Sequence, residues 1–294
     1  MRNIKNYKFE IIIFLTIIAL SIYSAPARTF NINDNISINK TELKQGDILV
    51  VKTAKEININ QIKFNGNQYQ TKKYEQGKIA VIPISYWTNA GNYELEIIKD
   101  DRNITTPINI ISGNFTNSYL QVDKDQEELI KPEKEATIKR KKEDQKMINQ
   151  ARKNSRQAII FNNNFIWPVD GIISTDFGAT RFVNGELQSR HSGIDIAADK
   201  GTPVLAANGG IVKLAAHLLV TGNTIIIDHG FNIFSSYSHL SKLDVNKGEQ
   251  VKKGEKIGEI GSTGFSTGPH LHWTITVGRV FVNPRNFVEK DILK

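Results

Sequence analysis

All six histidines of the 294-residue chain lie beyond residue 190, and the chain has no cysteine. Two groupings among them have spacings that suit chemistry. His191-Ser-Gly-Ile-Asp195 sets an imidazole and a carboxylate four residues apart, and His270-Leu-His272 sets two imidazoles two apart. Gly193 and the β-branched Ile194 and Ile196 favour extended backbone, on which alternate residues share a face. Positions 191, 193 and 195 then look one way, and so do 270 and 272, while Leu271 and Trp273 turn toward a core. Two histidines and one aspartate, with a fourth position open, have the composition of a catalytic zinc site. The absence of cysteine excludes disulfides, thiolate zinc sites and thiol nucleophiles, so a zinc ion can be held only by this His/Asp set. A single histidine on a strand is commonly a hydrogen-bonded structural residue. The grouping argues for chemistry here, together with Tyr237-Ser-His239-Leu240 in the same region. His217 and His229 lack such company and read as structural, His229 as a brace beside Asp228 and Gly230.

From about Phe165 onward the sequence is rich in glycine and in short β-branched runs, without a long amphipathic helix. Candidate strands fall at 172–175, 194–197, 211–216, 224–228, 233–237 and 271–277. Upstream, runs at 47–53, 78–84, 92–99 and 104–111 are separated by turn signals, Asn65-Gly66-Asn67 and Asp100-Asp101-Arg102-Asn103. That pattern predicts a small β-sandwich of immunoglobulin type over 28–112, with Tyr93 as a candidate corner residue. Residues 113–158 change character and read as a charged linker. Pro132 interrupts any early helix, and 133–155 predicts a solvated helix held by charge pairs. At the start, Arg2, Lys5 and Lys8 precede an apolar run at 11–23 and Ala25-Pro26-Ala27, the three parts of a secretory signal peptide over 1–27. The run is shorter than the roughly 20 residues of a spanning helix, and an uncleaved anchor is the alternative. Export to the cell envelope or beyond is the expectation, with membrane contact only through that leader.

The residues from about 166 to 287 resemble the lysostaphin-type (LytM-like) zinc endopeptidases that cleave peptidoglycan. The likeness rests on His191-Ser-Gly-Ile-Asp195-Ile-Ala-Ala, on Tyr237-Ser-His239-Leu240, and on Gly261-Ser-Thr-Gly-Phe-Ser-Thr-Gly-Pro-His270-Leu-His272-Trp. Gly201-Thr-Pro-Val-Leu-Ala-Ala-Asn-Gly-Gly-Ile-Val212 and Val251-Lys-Lys-Gly-Glu-Lys-Ile-Gly258 fit as well. The resemblance implies an all-β, compact antiparallel catalytic domain of the duplicated hybrid motif type over 159–294. It implies zinc (Zn2+) held by His191, Asp195 and His272, with His270 and His239 as the catalytic pair, and peptidoglycan peptides as substrate. Thr274 departs from the acidic residue the family commonly shows two positions after the last ligand. The Gly-rich segment 261–269 then reads as a flexible wall of the groove and 178–190 as a second loop. In that loop Arg181 and Arg190 are candidates to meet substrate carboxylates. A non-catalytic wall binder or hydrolase activator of the same family is the alternative function. A biotinyl or lipoyl carrier would not need the histidine cluster.

The formal net charge is +8 and the pI about 9.4. Segments 1–27, 28–112, 113–158 and 159–294 carry +2, +2, +3 and +1, so no domain is strongly basic. Lys139-Arg140-Lys141-Lys142 is followed at once by Glu143 and Asp144, and no nucleic-acid recognition motif accompanies the charge. The excess can at most aid loose attraction to an anionic wall.

Overall fold

Runs such as Ile225-Ile-Ile227 and Leu271-His-Trp-Thr-Ile275 are rich in the β-branched and aromatic residues that suit a pleated, half-buried surface. They form strands. The computed structural model describes residues 30–33, 35–54, 57–99, 103–161, 164–289 and 291–292. The expected leader, and the 100–102 part of the expected turn, lie outside the described residues. The described chain is mostly β-strand with antiparallel sheets. No helix among the described residues is long and apolar enough to cross a membrane.

The N-terminal part is built from two five-stranded sheets. One runs Phe30–Asn33, Ile36–Ile38, Ile48–Thr53, Gly77–Pro83, Lys72–Tyr74, and the other Glu42–Lys44, Asn103–Ile111, Gly91–Lys99, Ile59–Phe64, Asn67–Tyr69. Leu49, Val51, Ile62, Ile82, Leu95, Ile97 and Ile108 close the core between them. The pair Asn103–Ile111 with Glu42–Lys44 is parallel, and the other pairs are antiparallel. Tyr93 Oη donates to the Asn89 carbonyl at 2.9 Å. Ile48, Val50, Ile79 and Val81 point the other way along the same strands and join the core of the C-terminal part, so the two parts share a packed interface.

The charged segment is not free. Asn117–Leu120 is a strand, paired in parallel with Thr180–Val183. Asp123 caps the helix Lys124–Ile130, accepting from Gln126 N–H at 2.8 Å, and that helix ends just before Pro132. A second helix, Glu135–Ala151, stops four residues short of the expected 133–155 span. It is docked rather than solvated. Asp144 is buried and accepts from Leu219 N–H at 2.6 Å, and Arg140 donates to the His217 carbonyl at 2.9 Å.

The main sheet positions the site. Its strands run Ile172–Thr175, Ile194–Ala197, His270–Val277, Ile233–Leu240, Gly222–Asp228, Gly210–Leu218, Gln250–Val251, with Val280–Val282 paired to His270–Val277. Leu271, Trp273, Ile275, Tyr237, Ile225 and Ile227 pack into one core. On the opposite face Phe234, Ile226, Leu214 and Leu218 are covered by the end of the second helix around Ala151. Asp195, His270 and His272 occupy the part of that second face which the helix leaves open.

Candidate active site

Strand register brings the candidate ligands together. Asp195 pairs directly with His272 and Ala197 with His270, so Asp195, His270 and His272 share a face, while Ile194 opposite Trp273 points to the core. His191 precedes the strand and is pinned by backbone bonds in both directions with Ala179 and Gly178. The close approach depends on Gly193. A Cβ there would lie 2.2 Å from the Trp273 carbonyl oxygen and 2.7 Å from Thr274 Cγ2.

The three expected ligand atoms converge. His191 Nε2 lies 2.9 Å from Asp195 Oδ1 and 3.0 Å from His272 Nδ1, and His272 Nδ1 lies 2.7 Å from Asp195 Oδ1. His191 Nδ1 is 2.9 Å from the Asp176 carbonyl, which can only accept, so Nδ1 carries the proton and Nε2 presents a bare lone pair. With both rings neutral, at most one proton, on His272 Nδ1, lies among the three converging atoms, and it cannot serve every contact. A cation satisfies all of them, and the donor set is the borderline N/O kind that suits zinc. His191, Asp195 and His272 are thus a group able to hold a metal ion. Burial alone would raise the Asp195 carboxyl, yet the His191 and His272 imidazoles hold it well below the usual carboxylate range. Burial pushes the His272 imidazole down to about 4.

His239 reaches the same face by a route that strand alternation does not give. Ser238 is directly opposite His272 and Tyr237 opposite Trp273, so a regular strand would turn His239 toward the core with Tyr237. Instead, Asn223 pairs with Leu240 and Ile225 with Tyr237, leaving an extra residue on one side, and His239 adopts φ 65°. This bulge with a left-handed residue swings the imidazole out. Its ring centroid lies 4.8 Å from that of His270 and 6.0 Å from that of His272. His239 Nδ1 donates to the Thr263 carbonyl at 2.7 Å and His270 Nδ1 to the Gly268 carbonyl at 2.8 Å. Both therefore present a bare Nε2. Burial, then the neighbouring His270 and His272, pushes His239 down to about 3, so it is neutral near pH 7.

The surrounding groove has a volume of about 410 Å³, and its walls include 265–270, Val220 and Thr221, Arg181 and Arg190, and Leu120 from the charged segment. Gly222, at φ 61°, lets the Val220–Gly222 turn sit against Thr263, where a Cβ would lie 2.4 Å from the Thr263 oxygen. Thr274 is buried on the histidine face and its hydroxyl has no partner, so it supports no ligand. His217 is exposed and bonds Asn223, and His229 is buried in the sheet, where its ring contacts the Gly209 carbonyl and Ser235 Oγ. Neither approaches the groove. Two contributions escaped sequence reasoning. Arg181 meets Asp195, and the carbonyls of Asp176, Thr263 and Gly268 set the imidazole tautomers. Backbone acceptors leave no trace in residue types.

Residues 189–284 match the model of Peptidase family M23. An uncharacterized metalloprotease of Buchnera aphidicola subsp. Baizongia pistaciae is 38% identical over 122 residues, which cover 41% of this chain and 32% of that protein. The peptidoglycan DD-endopeptidase ShyC of Vibrio cholerae is 38% identical over 115 residues, covering 38% of this chain and 26% of its own length. The chain thus spans about a third or less of the length of these curated relatives. A crystal structure from Pseudomonas aeruginosa, described as a peptidase M23, superimposes with a TM-score of 0.62 at 28% identity, covering 83% of this chain and 93% of that one.

Proposed function

Residues 189–284 form a peptidase family M23 domain, and from that premise we propose that the protein is a zinc-dependent endopeptidase hydrolysing peptide crosslinks or stem peptides of bacterial peptidoglycan. The observation that carries this reading is the meeting of His191 Nε2, Asp195 Oδ1 and His272 Nδ1 within 3.0 Å, beside two further imidazoles with bare Nε2 atoms. Peptidoglycan as substrate is supported by the name of the Vibrio cholerae relative.

In this reading His191, Asp195 and His272 hold the zinc ion. Zinc so bound supplies Lewis-acid polarisation of the scissile carbonyl and lowers the pKa of a water in the groove. His270 Nε2 takes the proton from the attacking water and later gives it to the leaving amine. A base becomes a cation when it does so. The His270 side chain, 16% exposed, carries that charge at less desolvation cost than the more deeply buried His239. His239, whose ring lies 4.8 Å from that of His270, faces the side where the oxyanion develops and would donate to it only when its Nε2 carries a proton of its own. If His239 is instead the base, the two roles exchange. The 261–269 segment forms the wall along which a peptide backbone lies.

We place this activity in an exported protein with a leader at 1–27, an immunoglobulin-like sandwich at 28–112, a linker at 113–158 and the catalytic part at 159–294. Its site is the cell envelope or the exterior. A non-catalytic wall binder or hydrolase activator fits less well, because all five site positions are filled. Mass analysis of purified peptidoglycan digested with and without a chelator tests the proposal. We expect peptide-bond cleavage that the chelator abolishes and added zinc restores. Unchanged muropeptides would overturn the proposal.

A further inference from the structure

Of the three tryptophans, Trp273 is buried and Trp167 is half-buried. Trp87, in the N-terminal sandwich, is 62% exposed. Tryptophan is highly buried on average, and this one is open to solvent. The backbone that carries the indole is held in place. The Trp87 backbone N–H donates to Ser85 Oγ at 3.1 Å, and Gln45 Nε2 donates to the Thr88 carbonyl at 2.6 Å. The Arg190 guanidinium stacks 5.0 Å from its ring and 4.9 Å from the Phe115 ring, and Arg190 Nη1 donates to the Tyr86 carbonyl at 2.8 Å. One indole face is therefore covered by Arg190, and the exposure lies on the rest of the ring.

Arg190 also lines the groove and immediately precedes His191. Trp87 therefore lies one side chain away from the groove wall, against a residue that lines it. Thr88 and Asn89 follow it in the chain and carry a hydroxyl and an amide. We propose that Trp87 is a stacking platform for the glycan to which the substrate peptide is attached, and so sets the preference for glycan-linked over free peptide. This rests on the peptidoglycan reading of the groove. The chemistry fits three ways. A peptide in the groove of such a substrate is tethered to a sugar, so the sugar must pass the rim. The axial C–H face of a neutral N-acetylated sugar packs on an aromatic ring, and hydroxyl and acetamido groups bond to side chains such as Thr88 and Asn89. A fixed indole loses little freedom when it is covered.

Two measurements test the inference. The first compares Trp87→Ala and Trp87→Phe with the unaltered protein on polymeric peptidoglycan and on a glycan-free peptide of the same sequence. We expect Trp87→Ala to raise KM for the polymer by roughly three- to tenfold, the size of one aromatic contact, with kcat retained. Trp87→Phe restores most of the loss, and KM for the free peptide moves by less than about twofold, within the range of an ordinary surface substitution. Equal shifts on both substrates, or none on either, would overturn the proposal. The second measurement does not depend on turnover. The tetramer of N-acetylglucosamine should change the tryptophan fluorescence of the full chain and leave that of Trp87→Phe unaltered. No change in the full chain, or the same change in Trp87→Phe, would count against the platform even if the chain cleaves peptidoglycan. Cleavage failure with the fluorescence change present would instead count against the peptidase reading alone.

Discussion

Arg181 Nη2 donates to Asp195 Oδ2 at 3.2 Å, the oxygen turned away from His191 and His272. The carboxylate is thus fixed from behind while Oδ1 faces the imidazoles. Arg190 is likewise engaged, between Trp87 and Phe115. Neither guanidinium waits free for a substrate carboxylate, as the sequence alone allowed.

Arg181→Ala should weaken zinc binding by about 10–100-fold, the usual effect of removing a group that orients a ligand. Arg181→Lys should recover only part of this, because an ammonium lacks the planar fork. Competition against a chromophoric chelator gives the affinities, and an unchanged value for Arg181→Ala would refute the supporting role.

Gly193 allows the Asp195 strand to lie against Trp273 and Thr274 with no room for a methyl group. Gly193→Ala must push backbone against backbone. We expect a loss of about 2–3 kcal/mol of stability, in the range of substitutions that strain a packed backbone, and weaker zinc binding together with it. Urea unfolding measured with zinc and with chelator checks both parts. A stable, zinc-binding Gly193→Ala protein would show that the strands tolerate separation.

A fragment beginning at Ile159 would lose the helix Glu135–Ala151 and uncover Leu214, Leu218, Ile226 and Phe234. It would also lose Leu120 from the groove wall. Such a fragment should melt at lower temperature and bind a hydrophobic dye, instead of acting as an unblocked, faster enzyme. A fragment with the melting temperature and turnover of the full chain would contradict the docked role of residues 113–158.

His229 carries a pH signature separate from the groove. Burial pushes its imidazole down to about 4, with the Gly209 contact and Asp228 opposing. Between its ordinary value near 6.5 and about 4, the unfolded chain binds a proton that the folded chain refuses, so stability rises with pH across that window. The contribution is complete above 6.5 and is lost as pH falls to about 4, on the order of 3 kcal/mol in all. Replacing His229 with Gln should flatten the change in melting temperature between pH 7 and pH 4.5, measured with chelator present in both samples. Parallel curves for the two proteins would exclude His229 as the cause.

Much of the site was legible because its rule is local. His270 and His272 alternate with Leu271 and Trp273, and the strand Ile194–Ala197 falls where the β-branched residues put it. His239 was legible as a residue but not as a geometry. Its outward turn depends on a bulge whose extra residue is defined only by the partner strand Gly222–Asp228. The docking of the charged segment was hidden for a different reason. Asp144 looks the same in sequence whether it pairs with Arg140 in water or, as here, is buried and also accepts the Leu219 N–H.

Zinc content measured beside crosslink cleavage, for the unaltered protein, Asp195→Ala and His270→Ala, tests the central claim most directly. We expect the unaltered protein to bind zinc and cleave, Asp195→Ala to do neither, and His270→Ala to keep zinc without cleaving. Zinc loss in His270→Ala would make that residue a ligand, and full activity in a well-folded, zinc-free Asp195→Ala protein would contradict the account.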